Sequence, residues 1–368
     1  MTRQDAWTSA RRVLAVRLDT LGDVLMTTPA FRALKQSAPG RTITLLTSPR
    51  GAEVVPFVPE VDDVIAYDAP WMPGLEPRTS SARDLELAAE LRRRRFDAAV
   101  IFTVYSQNPL PAAFLCHLAE IPLRLAHARE NPYSLLTNWI PEPEPEKLIR
   151  HEVRRQLDLV EAVGCRTGDE SLSFHVSPQA IDGGRRLMDG MGVNGNWVVV
   201  HPGASAPSRR YPAESFAVVA GHLARELGYQ VVFTGTDEES PLIEQIRSSM
   251  GAPSHSLAGR LSLAELGGVL SLAPVLIANN TGPVHIAAAL GTPVVDLYAL
   301  TNPQHAPWGT PSRVLSHDVP CKNCYRSICP EGHHNCLRLV APEQVIRATQ
   351  DLLAETGNAP GVLERAGS

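Results

Sequence analysis

Apolar residues fall in short runs, separated by polar turns and amphipathic stretches, and the alternation recurs along nearly the whole chain. The run Val13-Leu14-Ala15-Val16-Arg17-Leu18 predicts a buried strand. After the polar turn Asp19-Thr20-Leu21-Gly22-Asp23, the helical period of residues 24–36 predicts a helix. Strands are expected at 42–46, 64–67 and 98–102, with a helix over 83–95. In the second half, strands are expected at 198–201, 231–234, 275–279 and 294–298, and helices at 213–226, 241–250, 263–272 and 283–290.

Strands alternating with helices imply an α/β fold with parallel sheets covered on both faces. The two halves read as two facing Rossmann-like domains, one over 11–180 and one over 181–355. Open sheets of this kind bind ligands at the carboxyl ends of their strands, so the cleft between the domains is the expected site. Residues 1–10 read as a frayed tail. The PEPEPEK stretch at 141–147 reads as a surface loop, and the glycines between 183 and 195 as a looser stretch near the domain boundary.

A length of 368 residues suits two domains of similar size. With 44% hydrophobic and 20% charged residues and a net charge of −5, the composition is that of an ordinary globular protein. A dedicated nucleic-acid binder is usually basic, so nucleic acid is not an expected partner. No apolar run is long enough to span a bilayer, and the N-terminal MTRQDAWTSARR lacks the apolar centre of a signal peptide. A cytoplasmic location is expected, with the six cysteines reduced unless they bind something.

Four constellations carry candidate chemistry. In Leu21-Gly22-Asp23-Val24-Leu25, Asp23 stands where a helix begins after a strand. An aspartate there first of all suits a helix cap, and it is also where a general base facing a cleft would sit. In His201-Pro202-Gly203-Ala204-Ser205, followed by Ser208-Arg209-Arg210-Tyr211-Pro212, small residues such as Ser205 let backbone N–H groups reach a phosphate that Arg209 can pair. The plain alternative is a polar loop with solvated arginines. In Asn279-Asn280-Thr281-Gly282-Pro283-Val284-His285, Thr281 is a natural N-cap and Pro283 suits a first helical turn. That helix start favours an anion such as a pyrophosphate, with His285 on the first turn as a further contact or simply a packed residue.

The fourth is Cys321, Cys324, Cys329 and Cys336, with His333 and His334 among them. A structural Zn or Fe site, reduced thiols in a compact loop, and disulfides all remain open, since the spacing is not that of a zinc ribbon. The run Arg92–Arg95 closes a helix, where cations favour the macrodipole; a solvated face is the default and contact with anionic lipid the alternative. Cys116 and Cys165 read as small buried residues.

Taken together, VLAVRLDTLGDVLMTTPAFRALK, VVVHPGASAPSRRYP, LAGRLSLAELGGVLSLAPVLIANNTGPVHIAAALGTPVVDLY and CYRSICPEGHHNCL resemble glycosyltransferase family 9, the ADP-heptose:lipopolysaccharide heptosyltransferases, from about residue 12 to 353. The resemblance implies the GT-B architecture, with the acceptor on the first domain and the nucleotide diphosphate sugar, ADP-heptose above all, on the second. It implies an inverting transfer onto a lipopolysaccharide core or related saccharide, at most peripheral to the inner face of the membrane. Asp23 matches the family's proposed base. Arg209 falls where the family often has a lysine near the phosphates. Thr281, Gly282 and His285 match its donor-binding TGxxH, and Glu238 or Glu239 is similar in place to an acid near the nucleoside.

The chain departs from the pattern at Asn280, where the family commonly has aspartate. An amide still forms hydrogen bonds but is not a carboxylate. No Asp-x-Asp motif is present to bridge a metal to the diphosphate, so catalysis without a metal cofactor is expected. The competing expectations are a nucleotide-sugar epimerase of similar fold and a non-catalytic nucleotide-sugar-binding homologue.

Overall fold

The structure, a computed structural model, describes residues 3–73 and 78–357. The chain divides into two compact units, Met1–Ser173 and Phe174–Ser368.

The first unit runs α1 (Arg3–Ser9), β1 (Arg12–Arg17), α2 (Leu21–Gln36), β2 (Thr42–Thr47), α3 (Pro49–Ala52), β3 (Asp63–Ala66), α4 (Ala82–Arg94), β4 (Ala98–Ile101), α5 (Leu110–Leu118), β5 (Leu123–Ala128), β6 (Asn138–Pro141) and α6 (Glu152–Glu161). Its strands lie in the order β3-β2-β1-β4-β5-β6 and pair in parallel throughout. The strand order reverses at β1 and β4, paired with Val13 against Ala98. The chain therefore leaves the two neighbouring strands in opposite directions, opening a crevice at their carboxyl ends.

The second unit repeats the winding. It contains α7 (Pro178–Gly190), β7 (Trp197–His201), α8 (Ala213–Arg225), β8 (Gln230–Phe233), α9 (Ser240–Ser249), β9 (His255–Ser256), α10 (Leu263–Leu272), β10 (Leu276–Asn279), α11 (Gly282–Ala289), β11 (Val294–Leu297), β12 (Ser312–Leu315), α12 (Asn335–Arg338) and α13 (Pro342–Glu355). The order β12-β11-β10-β7-β8-β9, again parallel, places the reversal between β7 and β10. The loops after those two strands are His201–Arg210 and the turn into α11, both singled out by sequence. The core strands are buried from end to end, as expected of a sheet covered on both faces: every residue of β4, β7, β10 and β11 is buried.

Several expectations need correction. The N-terminal segment is not a frayed tail: residues Arg3–Ser9 form a helix, and Trp7 is buried with its indole N–H donating to Asn138 Oδ1 at 3.0 Å. The PEPEPEK stretch does not lie wholly at the surface. Glu144 is fully buried because it is paired, with Arg150 and Arg155 each 2.9 Å from its Oε2. Residues 183 and 184 are not loose; both lie in α7, which packs on α10. A Cβ on Gly184 would stand 2.8 Å from the backbone carbon of Gly268, and one on Gly268 would stand 2.2 Å from the Ala180 carbonyl oxygen. These glycines let two helix backbones touch. The second unit begins at Phe174, earlier than the expected 181, because the segment into α7 packs with this unit: Phe174 and Val176 side chains lie against Gly267.

Candidate active site

In the first unit the site forms where β1 ends. Arg17, the last residue of β1, is fully buried and surrounded by three carboxylates. Its Nη1 lies 2.8 Å from Glu152 Oε1, its Nη2 3.1 Å from Asp23 Oδ1, and its Nε 3.0 Å from Asp19 Oδ2. Burial opposes the guanidinium charge, but Asp19, Glu152 and Asp23 outweigh it and hold Arg17 above its ordinary value. Glu152 also accepts from Gln156 Nε2 at 2.6 Å, and Gln156 donates in turn to the Thr103 carbonyl beyond β4 at 3.0 Å. Strand β1, the loop after β4 and helix α6 are thus tied into one buried polar network.

Asp23 lies in the first turn of α2. Its Oδ2 accepts from the Thr20 amide at 3.2 Å and the Thr20 hydroxyl at 2.9 Å. The N-cap is therefore Thr20 and not Asp23, which is the third residue of the helix and reaches back to the cap residue. The same carboxylate stays half-buried at the strand end, anchored by Arg17, so capping and chemistry are compatible in one residue.

Asp19 was not singled out by sequence. Its Oδ1 accepts from Gln107 Nε2 at 2.5 Å. Burial pushes its carboxyl up to about 6; Asp23 adds to the rise, while Arg17 and Gln107 pull against it. Asp19 lines a cavity of about 330 Å³ together with Trp71, Met72, Phe102, Gln107 and Asn108. An apolar wall with a few convergent polar groups suits a saccharide or another amphipathic guest.

In the second unit the loop after β7 is shaped by its neighbours. His201 is buried, with Nδ1 3.0 Å from Thr234 Oγ1 and Nε2 3.8 Å from Glu239 Oε2. Burial lowers the His201 pKa, opposed by Glu239. Gly203 leaves room beside it for Glu239, whose Oε1 lies 1.9 Å from where a Cβ would stand, so a larger residue would move that carboxylate. Of the two acids considered from sequence, Glu238 is exposed, whereas Glu239 turns in to this strand end and accepts from the Thr236 amide at 2.8 Å. Ser205 is exposed and Arg209 half-buried in the same loop. Arg210 Nε donates to the Ala204 carbonyl at 2.8 Å, closing the loop and leaving Arg209 as its other cation.

Across the strand reversal, α11 starts at Gly282 with Thr281 at the cap position. The Thr281 hydroxyl donates to the Asn279 carbonyl at 3.1 Å and does not cap the helix, so it does not cover the first-turn N–H groups. His285 is buried. Asn280 and Asp296, the latter not singled out by sequence, are both buried and bonded to each other at 2.9 Å. The polar groups proposed to meet a diphosphate are therefore gathered at the carboxyl ends of β7 and β10, with Glu238 set apart on the surface.

The cysteine segment supports this loop directly. The Ser208 amide donates to the Ser327 carbonyl at 3.0 Å and its hydroxyl to the Arg326 carbonyl at 2.7 Å. Cys321, Cys324, Cys329 and Cys336 are free thiols, none fully buried, with Cys321 Sγ 3.8 Å from His333 Nε2. Burial raises the Cys336 thiol pKa, and the three other thiols add to the rise. Among the described residues, no three His, Cys, Asp or Glu side chains are grouped closely enough to hold a metal ion. Cys116 and Cys165 are buried in the first unit.

This arrangement can be set against known proteins. The sequence profile of glycosyltransferase family 9 (heptosyltransferase) matches residues 85–335. The chain belongs to that family. It is 24% identical over 359 residues to lipopolysaccharide heptosyltransferase 2 of Salmonella typhimurium, covering 94% of this chain and 99% of that one. The crystal structure of a family 9 glycosyl transferase from Veillonella parvula superposes with a TM-score of 0.76 at 24% identity, covering 94% of this chain and 97% of the other. That of Escherichia coli ADP-heptose LPS heptosyltransferase II superposes with a TM-score of 0.71 at 22% identity, covering 94% and 99%. The chain is thus a glycosyltransferase built of two Rossmann-like units. Among the described residues, no helix is long and apolar enough to cross a membrane.

Proposed function

We propose that this family 9 member transfers heptose from ADP-heptose onto a lipopolysaccharide-core saccharide with inversion at the anomeric carbon. The first unit would take the acceptor and the second the nucleotide sugar. The observation that carries the reading is the pair of loops at the β7 and β10 strand ends. There Arg209 and the first turn of α11, uncapped by Thr281, come from the two strands that flank the sheet reversal. The relatives named for lipopolysaccharide and ADP-heptose supply the substrate class.

In this account Asp23 takes the proton of the acceptor hydroxyl. The oxygen forms a bond to the anomeric carbon as the bond from that carbon to the β-phosphate oxygen breaks, and ADP leaves with the electron pair. Negative charge grows on the diphosphate, and Arg209 and the α11 N–H groups stabilise it. That stabilisation would come from the protein, with no metal cofactor in the step. Glu239, beyond β8, would meet the nucleoside, with Ser205 and His285 completing the donor half and Glu238 left on the surface. The cysteine segment is assigned the supporting role its bonds to Ser208 describe.

Binding of ADP by calorimetry tests the donor assignment. Arg209→Ala should weaken it about tenfold or more, the usual cost of a lost charge-assisted bond. A folded variant with unchanged affinity would remove Arg209 and its loop from the donor site.

A further inference from the structure

Asn280 has two amide protons, and both are committed. Nδ2 donates to Asp296 Oδ2 and to the His305 carbonyl, each at 2.9 Å. The His305 carbonyl can only accept, so turning the amide over would set Oδ1 against that oxygen and leave the bond unmade. The amide therefore has one orientation. Its Oδ1 has no hydrogen-bond partner among the described residues, and it sits at the end of β10, directly ahead of Thr281 and Gly282.

The anchor comes from the adjacent strand. Asp296 lies in β11, in register with Ala278 of β10, and is fully buried in an otherwise apolar strand. One of its carboxyl oxygens meets Asn280 and the other, Oδ1, is buried without a partner. Burial pushes this carboxyl up to about 8, with the Asn280 amide pulling against the rise. Oδ2 can accept from Asn280 in either protonation state. Close by are the Tyr298 phenol, which accepts from the His305 amide at 3.0 Å, the His305 ring, 3.4 Å from Asn302 Nδ2, and Arg209, whose charge acts on Tyr298.

We propose that Asp296 is a positioning residue that fixes the Asn280 oxygen toward the bound nucleotide sugar, so that position 280 offers it a neutral hydrogen-bond acceptor. The carboxylate is thus held one strand away, on β11, and not at position 280 itself. Asn280 keeps the accepting atom without the charge. The inference rests on the assignment of the donor to the second unit.

The test is ADP-heptose and ADP binding by calorimetry at about pH 6 and about pH 9, with melting curves, for wild type, Asn280→Asp and Asn280→Asp/Asp296→Asn. Asn280→Asp places an oxygen against Asp296 and the His305 carbonyl. Its ADP-heptose affinity should fall about tenfold or more at the higher pH and partly return at the lower, where the two carboxyls share a proton. The double variant supplies a donor from position 296. An oxygen of the carboxylate at position 280 would still face the His305 carbonyl, so the double variant should recover only part of the loss, binding at least about threefold more tightly than Asn280→Asp at the higher pH. Wild-type affinity in Asn280→Asp at both pH values would overturn the proposal. So would a folded double variant no better than the single one. Should Asn280→Asp fail to fold, binding by the double variant decides alone. Wild-type protein that binds neither ADP-heptose nor ADP would overturn the donor assignment itself, and this inference with it.

Discussion

Arg17 Nη1 lies 2.8 Å from Glu152 Oε1, and both side chains are completely buried. A strand end and a helix 135 residues further on are joined by this pair. A buried pair of charges is costly to assemble but costlier to break, because removing one partner leaves the other uncompensated.

Arg17→Met should therefore destabilise the first unit by about 3–5 kcal/mol, since Glu152, Asp19 and Asp23 would lose their common cation. Adding Glu152→Gln should return part of the loss. Urea denaturation of the two variants checks this, and a double variant no more stable than the single one would contradict it.

Asp19 should set an acid limb on turnover. Its carboxyl is pushed up to about 6, so it gains a proton as pH falls through that region. Arg17 then bears more heavily on Asp23, which becomes a weaker proton acceptor. The value of kcat/KM should fall below about pH 6, and Asp19→Asn should give a lower activity without that limb. Stability carries the opposite sign. The native state holds this proton more tightly than the unfolded chain, so the carboxyl's contribution declines from about pH 4 to about pH 6 and is flat above. Melting temperatures of Asp19→Asn should show a flatter pH dependence over that range.

Much of the fold was legible because the sheets are buried on both faces. Such strands read as unbroken apolar runs, and β1, β4, β7, β10 and β11 were found within about two residues at each end. What escaped were strands whose polar residues are satisfied by tertiary contacts. In β5, Arg124 is buried because it donates to the carbonyls of Leu135 and Ser134, at 2.7 Å each, and of Ile121, none of which a local pattern reveals. Strand β9 has only two residues and offers no period. The elements that place Asp23, Arg209 and Thr281 were legible, because each residue follows on a buried strand. Asp296 did leave a signal, a lone acid within the apolar VVDLY, whereas Glu152 reaches Arg17 from a distant helix and left none.

Neighbouring glycines of α7 should respond with opposite signs. A Cβ on Gly183 meets nothing within 4 Å, so Gly183→Ala should stabilise by about 0.5–1 kcal/mol through helix propensity. A Cβ on Gly184 meets the backbone of Gly268, so Gly184→Ala should destabilise by about 1–3 kcal/mol as α7 and α10 are forced apart. Thermal melts of the pair check both directions, and like signs would contradict the close contact of the helices.

Elemental analysis decides the cysteine segment. Protein purified without added metal that carries no stoichiometric Zn or Fe, with Cys321, Cys324, Cys329 and Cys336 titrating with a thiol reagent in the folded state, would show a loop of thiols. One metal ion per chain, with these four thiols protected, would show instead that the segment closes around a metal.

The central claim is that Asp23 accepts the proton from the attacking hydroxyl. Steady-state turnover of Asp23→Asn with ADP-heptose and a lipopolysaccharide-core acceptor tests it most directly, with ADP affinity and a melting curve measured beside it. The asparagine keeps the size of the side chain, and its oxygen can still accept from Thr20. Turnover should fall by about 10²–10⁴-fold while ADP affinity stays near that of wild type. Near wild-type turnover would contradict the account and leave Asp23 only as the first-turn partner of the Thr20 cap.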